Sequence, residues 1–127
     1  MIIHHVALVC RSEESSDLFY REVLGLEKIQ PKILSSELSE KLFQLKNEYP
    51  VLNYVGSGIR FEIFISPPKE GAGHRLEHIC LEVEDLNALL RRCEEKGVKI
   101  IRAAKGDSVI VFVADMDGNL FELKEKK

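Results

Sequence analysis

The chain has 127 residues, 45% hydrophobic and 31% charged, with a net charge of −3. That length and mix suit one globular domain, residues 1–127, with a real core, and exclude a disordered chain. No apolar run is long enough to cross a bilayer and no basic block offers a surface to a phosphate backbone, so neither a membrane nor a nucleic acid is an expected partner.

Met1-Ile-Ile-His-His5 has neither a basic stretch nor a long apolar one, so no signal peptide is expected and the expected location is cytoplasmic. His5-Val-Ala-Leu-Val9 then reads as a strand. A helix is predicted from Ser12 or Glu13 to Leu24, with Ser12 as its N-cap, Glu13 and Glu14 in its first turn and Gly25 as its stop. Strand-like runs follow at Leu26–Leu34, Val51–Val55 and Ile59–Ser66. Between the first two, Ser35–Asn47 opens with a capping serine and places apolar residues at Leu38, Leu42, Phe43 and Leu45. It reads as an inserted short helix, with a strand through Lys41–Leu45 as the alternative, and an insertion of this kind is expected to shape a pocket. Pro67-Pro-Lys-Glu-Gly-Ala-Gly73 is the linker, within residues 67–75, and His74 falls there as a solvated side chain.

The second half repeats the first. His78-Ile-Cys-Leu-Glu-Val83 reads as a strand. The helix after it runs from Asp85 to Lys96, capped by Asp85 and stopped by Gly97, with Leu86, Leu89, Leu90 and Cys93 on one face. Runs at Lys99–Ala103, Ser108–Val113 and Asn119–Lys124 complete it, separated by Lys105-Gly-Asp107 and Asp115-Met-Asp-Gly-Asn119. The prediction is therefore an α+β fold of two βαβββ modules, residues 1–66 and 76–127, forming an open curled sheet. Cys10, Cys80 and Cys93 are odd in number and lack CxxC spacing, which argues against a disulfide framework or a thiolate zinc site and leaves them as small buried hydrophobes.

Four polar residues interrupt these apolar runs: His5, Glu62, His78 and Glu122. Burying an imidazole or a carboxylate among Val, Ile and Phe is costly without a partner, and a shared divalent metal ion is one partner that satisfies all four. Alternation along a strand puts His5 with Ala7 and Val9, and Glu62 with Arg60 and Phe64, opposite the apolar Phe61 and Ile63. His78 shares a face with Cys80 and Glu82, and Glu122 with Leu120 and Lys124. Parity permits all four to line one concave surface, and it sets His4 on the opposite face or at the edge, as a non-ligand. Taken singly, a strand His or Glu is more often structural or solvated than ligating. The repeated order, His on the first strand and Glu on the last strand of each module, is what raises the quartet above that.

The runs His4-His-Val-Ala-Leu-Val9, Leu18-Phe-Tyr-Arg-Glu-Val-Leu-Gly-Leu26, Phe61-Glu-Ile-Phe64, Leu76-Glu-His-Ile-Cys-Leu-Glu-Val-Glu-Asp-Leu86 and Asp115-Met-Asp-Gly-Asn-Leu-Phe-Glu-Leu123 resemble the vicinal oxygen chelate superfamily. That superfamily includes glyoxalase I, methylmalonyl-CoA epimerase, extradiol dioxygenases, and the fosfomycin and bleomycin resistance proteins. The resemblance spans essentially the whole chain, with Met116 where Pro is usual. It implies a metal-holding cavity wrapped by paired modules and often completed by dimerisation, so a homodimer and a small-molecule substrate are the expected partners. By family position, His5, Glu62, His78 and Glu122 match the complete His/Glu/His/Glu metal set of glyoxalase I. One divalent ion is implied, of the Zn, Ni, Co, Fe or Mn class that suits imidazole and carboxylate ligands.

The reaction implied is a lactoylglutathione lyase-type proton transfer alpha to a carbonyl through an enediolate, with Glu122 as the base and Glu62 as its partner. Val9 and Ser66 stand where glutathione-using members carry Arg and Asn, and the runs at His78–Val83 and Lys96–Ile101 resemble the epimerase branch. An epimerase-like or dioxygenase-like enzyme, or a non-catalytic binding protein of the bleomycin-resistance type, is the alternative.

Overall fold

The computed structural model of the protein describes residues 2–67 and 77–127; the predicted linker and His74 lie almost wholly outside them. Strand β1 is Val6–Cys10. Helix α1 opens as an α-helical turn at Glu13–Ser16 and widens into π-helical geometry over Asp17–Val23. Strand β2 (Glu27–Leu34), helix α2 (Ser36–Phe43), and strands β3 (Tyr49–Gly56) and β4 (Ile59–Ile65) complete the first half. The second half has β5 (His78–Val83), α3 (Leu86–Lys96), β6 (Ile100–Lys105), β7 (Ser108–Ala114) and β8 (Leu120–Glu125).

Local chemistry accounts for the helix ends. The hydroxyls of Ser12 and Ser35 accept the N–H groups of Ser15 and Leu38, at 3.1 and 3.2 Å. The carboxylate of Asp85 accepts that of Ala88 at 3.0 Å. Each satisfies a donor the helix itself leaves unpaired. Gly97 turns left-handed at φ +71° and lets the Val98 N–H return to the Cys93 carbonyl at 2.8 Å, closing α3. The insertion is a helix, not the alternative strand. The departure in α1 is the Leu24 N–H reaching back five residues to the Phe19 carbonyl at 2.9 Å. This wider turn accompanies full burial of Phe19, Tyr20 and Val23.

The two halves share one topology. The first sheet has strand order β1-β4-β3-β2 and the second β5-β8-β7-β6. In each, the outer pair is parallel (β1 with β4, β5 with β8) and the rest antiparallel. The predicted βαβββ repeat is observed, as two four-stranded open sheets. Both sheets turn one face to a single core with α1 and α3. Tyr20 packs against Tyr54 and Phe61 at 5.4 Å between ring centroids, and Phe61 meets Phe121 of the other half at 5.9 Å. Each buried aromatic or aliphatic side chain contributes roughly 1.5–3 kcal/mol through removal from water.

Because Phe61 and Phe121 meet in the core, their strand neighbours Glu62 and Glu122 emerge on the far faces of the two sheets. Among the described residues no helix is long and apolar enough to cross a membrane.

Candidate functional site

His5 lies one residue before β1, and Glu62 sits in β4 opposite Ala7. The His5 Nε2 is 3.2 Å from a Glu62 carboxylate oxygen. On its other side the His5 Nδ1 shares a hydrogen bond of 2.9 Å with the Nδ1 of His4, whose ring stands edge-on at 5.1 Å. His4 is exposed, as an edge position predicts, and it helps hold the His5 ring with Nε2 toward Glu62. The ring nitrogen not on the ligand side often has such an orienting partner.

The second half repeats this register. Glu122 lies opposite Cys80, as Glu62 lies opposite Ala7, and in both halves the histidine comes two residues before that opposing residue. The His78 ring packs against Phe112 at 5.0 Å, and Phe112 is the antiparallel neighbour of Glu122 on β7. Glu122 opens on a shallow depression of about 390 Å³ that also includes Lys105, Ile110 and Lys124. Cys80 corrects one expectation: Cys10 and Cys93 are buried, but Cys80 is exposed on the ligand face. Desolvation raises its thiol pKa, and the Glu122 carboxylate beside it pushes in the same direction.

The structure brings His5 and Glu62 into contact on the first sheet and places His78 and Glu122 on neighbouring strands of the second. Among the described residues, three potential ligand atoms converge within 4.8 Å of one another only at Cys10, Asp115 and Asp117, a site absent from the sequence prediction. Hydrogen bonds account for that cluster. One Asp115 carboxylate oxygen accepts from Tyr20 Oη at 2.8 Å, Asn119 Nδ2 at 2.7 Å and Cys10 Sγ at 3.3 Å. The other accepts the N–H groups of Asp117 and Asn119, both at 2.9 Å. Asp117 is engaged by Arg11 at 2.9 Å. Burial and the charge of Asp115 push the Cys10 thiol far up. This is a structural knot in which the Asp115-to-Asn119 turn is tied to β1 and α1.

Sequence reasoning also left unweighted a polar group around Glu62. Asn53 is the β3 neighbour of Glu62 and is fully buried. Its Oδ1 accepts from an Arg60 terminal nitrogen at 3.1 Å. The Asn53 Nδ2, the Arg60 Nε and the Oγ of buried Ser39 have no hydrogen-bond partner. The available signals were Asn53 inside the apolar run Val51–Val55, and Arg60 on the Glu62 side of its strand.

A curled α+β fold of two equivalent βαβββ modules, each carrying a His/Glu pair in one register, defines a class of protein, and comparison with known proteins names it. The model for Glyoxalase, described as the Glyoxalase/Bleomycin resistance protein/Dioxygenase superfamily, matches residues 2–123. The chain belongs to this superfamily. It is 30% identical over 131 residues to the mitochondrial methylmalonyl-CoA epimerase of Bos taurus, an alignment covering 97% of this chain and 73% of that protein. It is 27% identical over 141 residues to lactoylglutathione lyase of Neisseria meningitidis serogroup A, covering 99% and 91%. Among solved structures, a glyoxalase family protein from Enterococcus faecalis superimposes with a TM-score of 0.69 at 25% identity, covering 95% and 94% of the two chains.

Proposed function

We propose that the protein is a metal-dependent lyase or isomerase of the glyoxalase I type, which moves a proton alpha to a carbonyl of a small-molecule substrate. The observation that carries this reading is the His/Glu pair repeated in identical register on both sheets. The residues fit a divalent ion. Two ligands each about 2.0–2.2 Å from one ion have donor atoms about 3 Å apart, and His5 Nε2 and Glu62 Oε2 stand at 3.2 Å. His5, Glu62, His78 and Glu122 would hold it, and when bound it would supply Lewis-acid polarisation of the substrate carbonyl. Glu122 would take the proton from the adjacent carbon and Glu62 would assist its return, as carboxylates within reach of a reacting carbon can.

The two pairs lie on sheet faces directed away from the shared core. A homodimer in which the first sheet of one copy faces the second sheet of the other would assemble the full quartet, and we propose this arrangement. It parallels the matched topology of the sheets and the exposure of His5 and His78.

A second reading within the same chemistry, epimerisation of an acyl thioester, is favoured by two residues. Val9, on the His5 face and 55% exposed, and Ser66, just past β4, offer no cation or amide where glutathione-using relatives have them. The test is divalent-metal content together with deuterium uptake. Protein loaded with Ni, Co, Mn or Zn is incubated in D₂O with the methylglyoxal–glutathione hemithioacetal or with an epimerisable acyl-CoA. One ion per quartet and deuterium at the alpha carbon of either substrate are expected. Absence of stoichiometric metal binding, or metal binding that persists unchanged in Glu122→Gln, overturns the proposal.

A further inference from the structure

Helix α2 presents its apolar side chains to solvent. Helix α3 buries Leu89, Leu90 and Cys93, as an amphipathic helix on a core does. In α2 the only buried residue is Ser39. Its Leu38, Leu42 and Phe43, with Leu45 just beyond it, are between 43% and 60% exposed. Leu38 and Leu42 stand one turn apart on one flank. Four half-exposed side chains of this size make a patch on the order of a few hundred Å², the scale at which exposed apolar surface marks an interaction site.

The surroundings of the patch select its occupant. Helix α2 rests on the outer face of the first sheet, its Phe43 ring 6.2 Å from that of Phe64, and Phe64 shares that face with Glu62 and with exposed Val9. The patch is therefore continuous with the face that the proposed homodimer turns toward its partner. Alone it is too small for a stable interface, which takes about 800 Å² from each side, so whatever covers it covers the adjoining sheet face as well. The outer face of the second sheet has the matching surface. There Ile101 opposes Phe112 and Ala103 opposes Ile110 across β6 and β7, an apolar block on the Glu122 side of its sheet. Ile101 and Ala103 are exposed. A two-residue turn joins β6 to β7, where the first module inserts α2 between β2 and β3, and α3 is committed to the core. Among the described residues, the second module thus brings no helix of its own to this block.

We infer that α2 of one copy packs Leu38 and Leu42 on the β6–β7 block of a second copy, at Ile101 and Ile110. The inference rests on the homodimer proposed above and adds what fixes its register. It also gives the inserted helix a role at the site. Phe43 and Phe64 stand on the Glu62 face, so the helix that joins the copies walls one side of the space between His5 and Glu62 of one copy and Glu122 of the other.

The experiment is sedimentation velocity of the full chain over a concentration series, with and without one equivalent of Ni. Wild type is expected to be a dimer. The double variant Leu38→Ser/Leu42→Ser and the single variant Ile101→Ser should each raise the dimer dissociation constant at least tenfold. Combined in one chain, they should raise it by less than the product of the two effects, because both remove the same contact. Val109→Ser, equally exposed but on the other side of β7, should leave it unchanged. Ile101→Ser lies in a strand and carries the test where the serines unravel α2. A wild type that is monomeric under both conditions overturns the inference and the homodimer together. A wild-type dimer that these variants leave unchanged, or in which their effects multiply independently, overturns the inference alone and leaves α2 to a different occupant. A dimer weakened as expected, in a protein that fails the metal test, upholds the interface and removes only the chemistry.

Discussion

The Asp115 knot makes a quantitative prediction. In Asp115→Ala the five donors that converge on the carboxylate lose their acceptor. Asn119 Nδ2 retains the Val9 carbonyl at 3.1 Å, and a thiol is a weak donor, so Asn119 Nδ2 and Cys10 lose least. The Tyr20 hydroxyl, fully buried, and the N–H groups of Asp117 and Asn119 lose most. An unsatisfied buried donor costs about 1–3 kcal/mol, and hydration of the turn relieves part of the two backbone terms. The expected loss is about 4–6 kcal/mol, a large share of the roughly 5–15 kcal/mol that stabilises a domain. Tyr20→Phe removes one donor and leaves Asp115 with four, so it should cost about 1–2 kcal/mol. Urea unfolding followed by circular dichroism measures both. A loss below about 1 kcal/mol in Asp115→Ala would show that the network contributes little, and the reasoning that assigns it a structural role would fail.

Glu62→Gln and Glu122→Gln should each reduce divalent-metal affinity at least tenfold in equilibrium dialysis, whereas Asp117→Asn, which loosens only the Arg11 contact, should leave it unchanged. A thiol reagent should label Cys80 ahead of the other two cysteines, more slowly where the proposed dimer covers its sheet face, and Cys10 and Cys93 only on unfolding, read by peptide mass spectrometry. Burial pushes the Cys93 thiol from 9.0 up to about 11. Above pH 9 the unfolded chain releases a proton the folded chain keeps, so this contribution is complete below pH 9 and is lost as pH rises toward 11. The slope is at most about 1.4 kcal/mol per pH unit. The urea midpoint should fall across that window, and less steeply in Cys93→Ala than in wild type.

Most of the element order was legible because each signal was local. The Asp85 cap, the Gly97 stop and the Leu89, Leu90, Cys93 stripe lie within one helix, and all three behave as their spacing requires. The widened turn of α1 was not legible. It depends on how Phe19 and Tyr20 are received by Phe121, Tyr54 and Phe61, residues distant in the chain. Cys80 was misread as buried for a related reason. Its apolar neighbours Ile79 and Leu81 suggest a covered strand, yet parity places it with His78 on the uncovered face. The Asp115 knot escaped because its partners, Cys10 and Tyr20, look like ordinary core residues until the fold brings them to one carboxylate.

Strand parity states which side of its own sheet a residue occupies, and the pairing registers Ala7–Glu62 and Cys80–Glu122 extend that to a neighbouring strand. Neither states how one sheet stands relative to the other. That relation is set by the core, where Phe61 meets Phe121 and the helices contribute Phe19, Tyr20, Leu89 and Leu90. The same contact that unites the two modules turns Glu62 and Glu122 outward. A sequence in which both Glu residues flank core aromatics therefore sets both on the faces away from the core, while what each of those faces meets is decided by packing. The proposed homodimer follows from that division: sheets that share a core through one face have only the other face left to share a ligand, and a second copy supplies the complementary half.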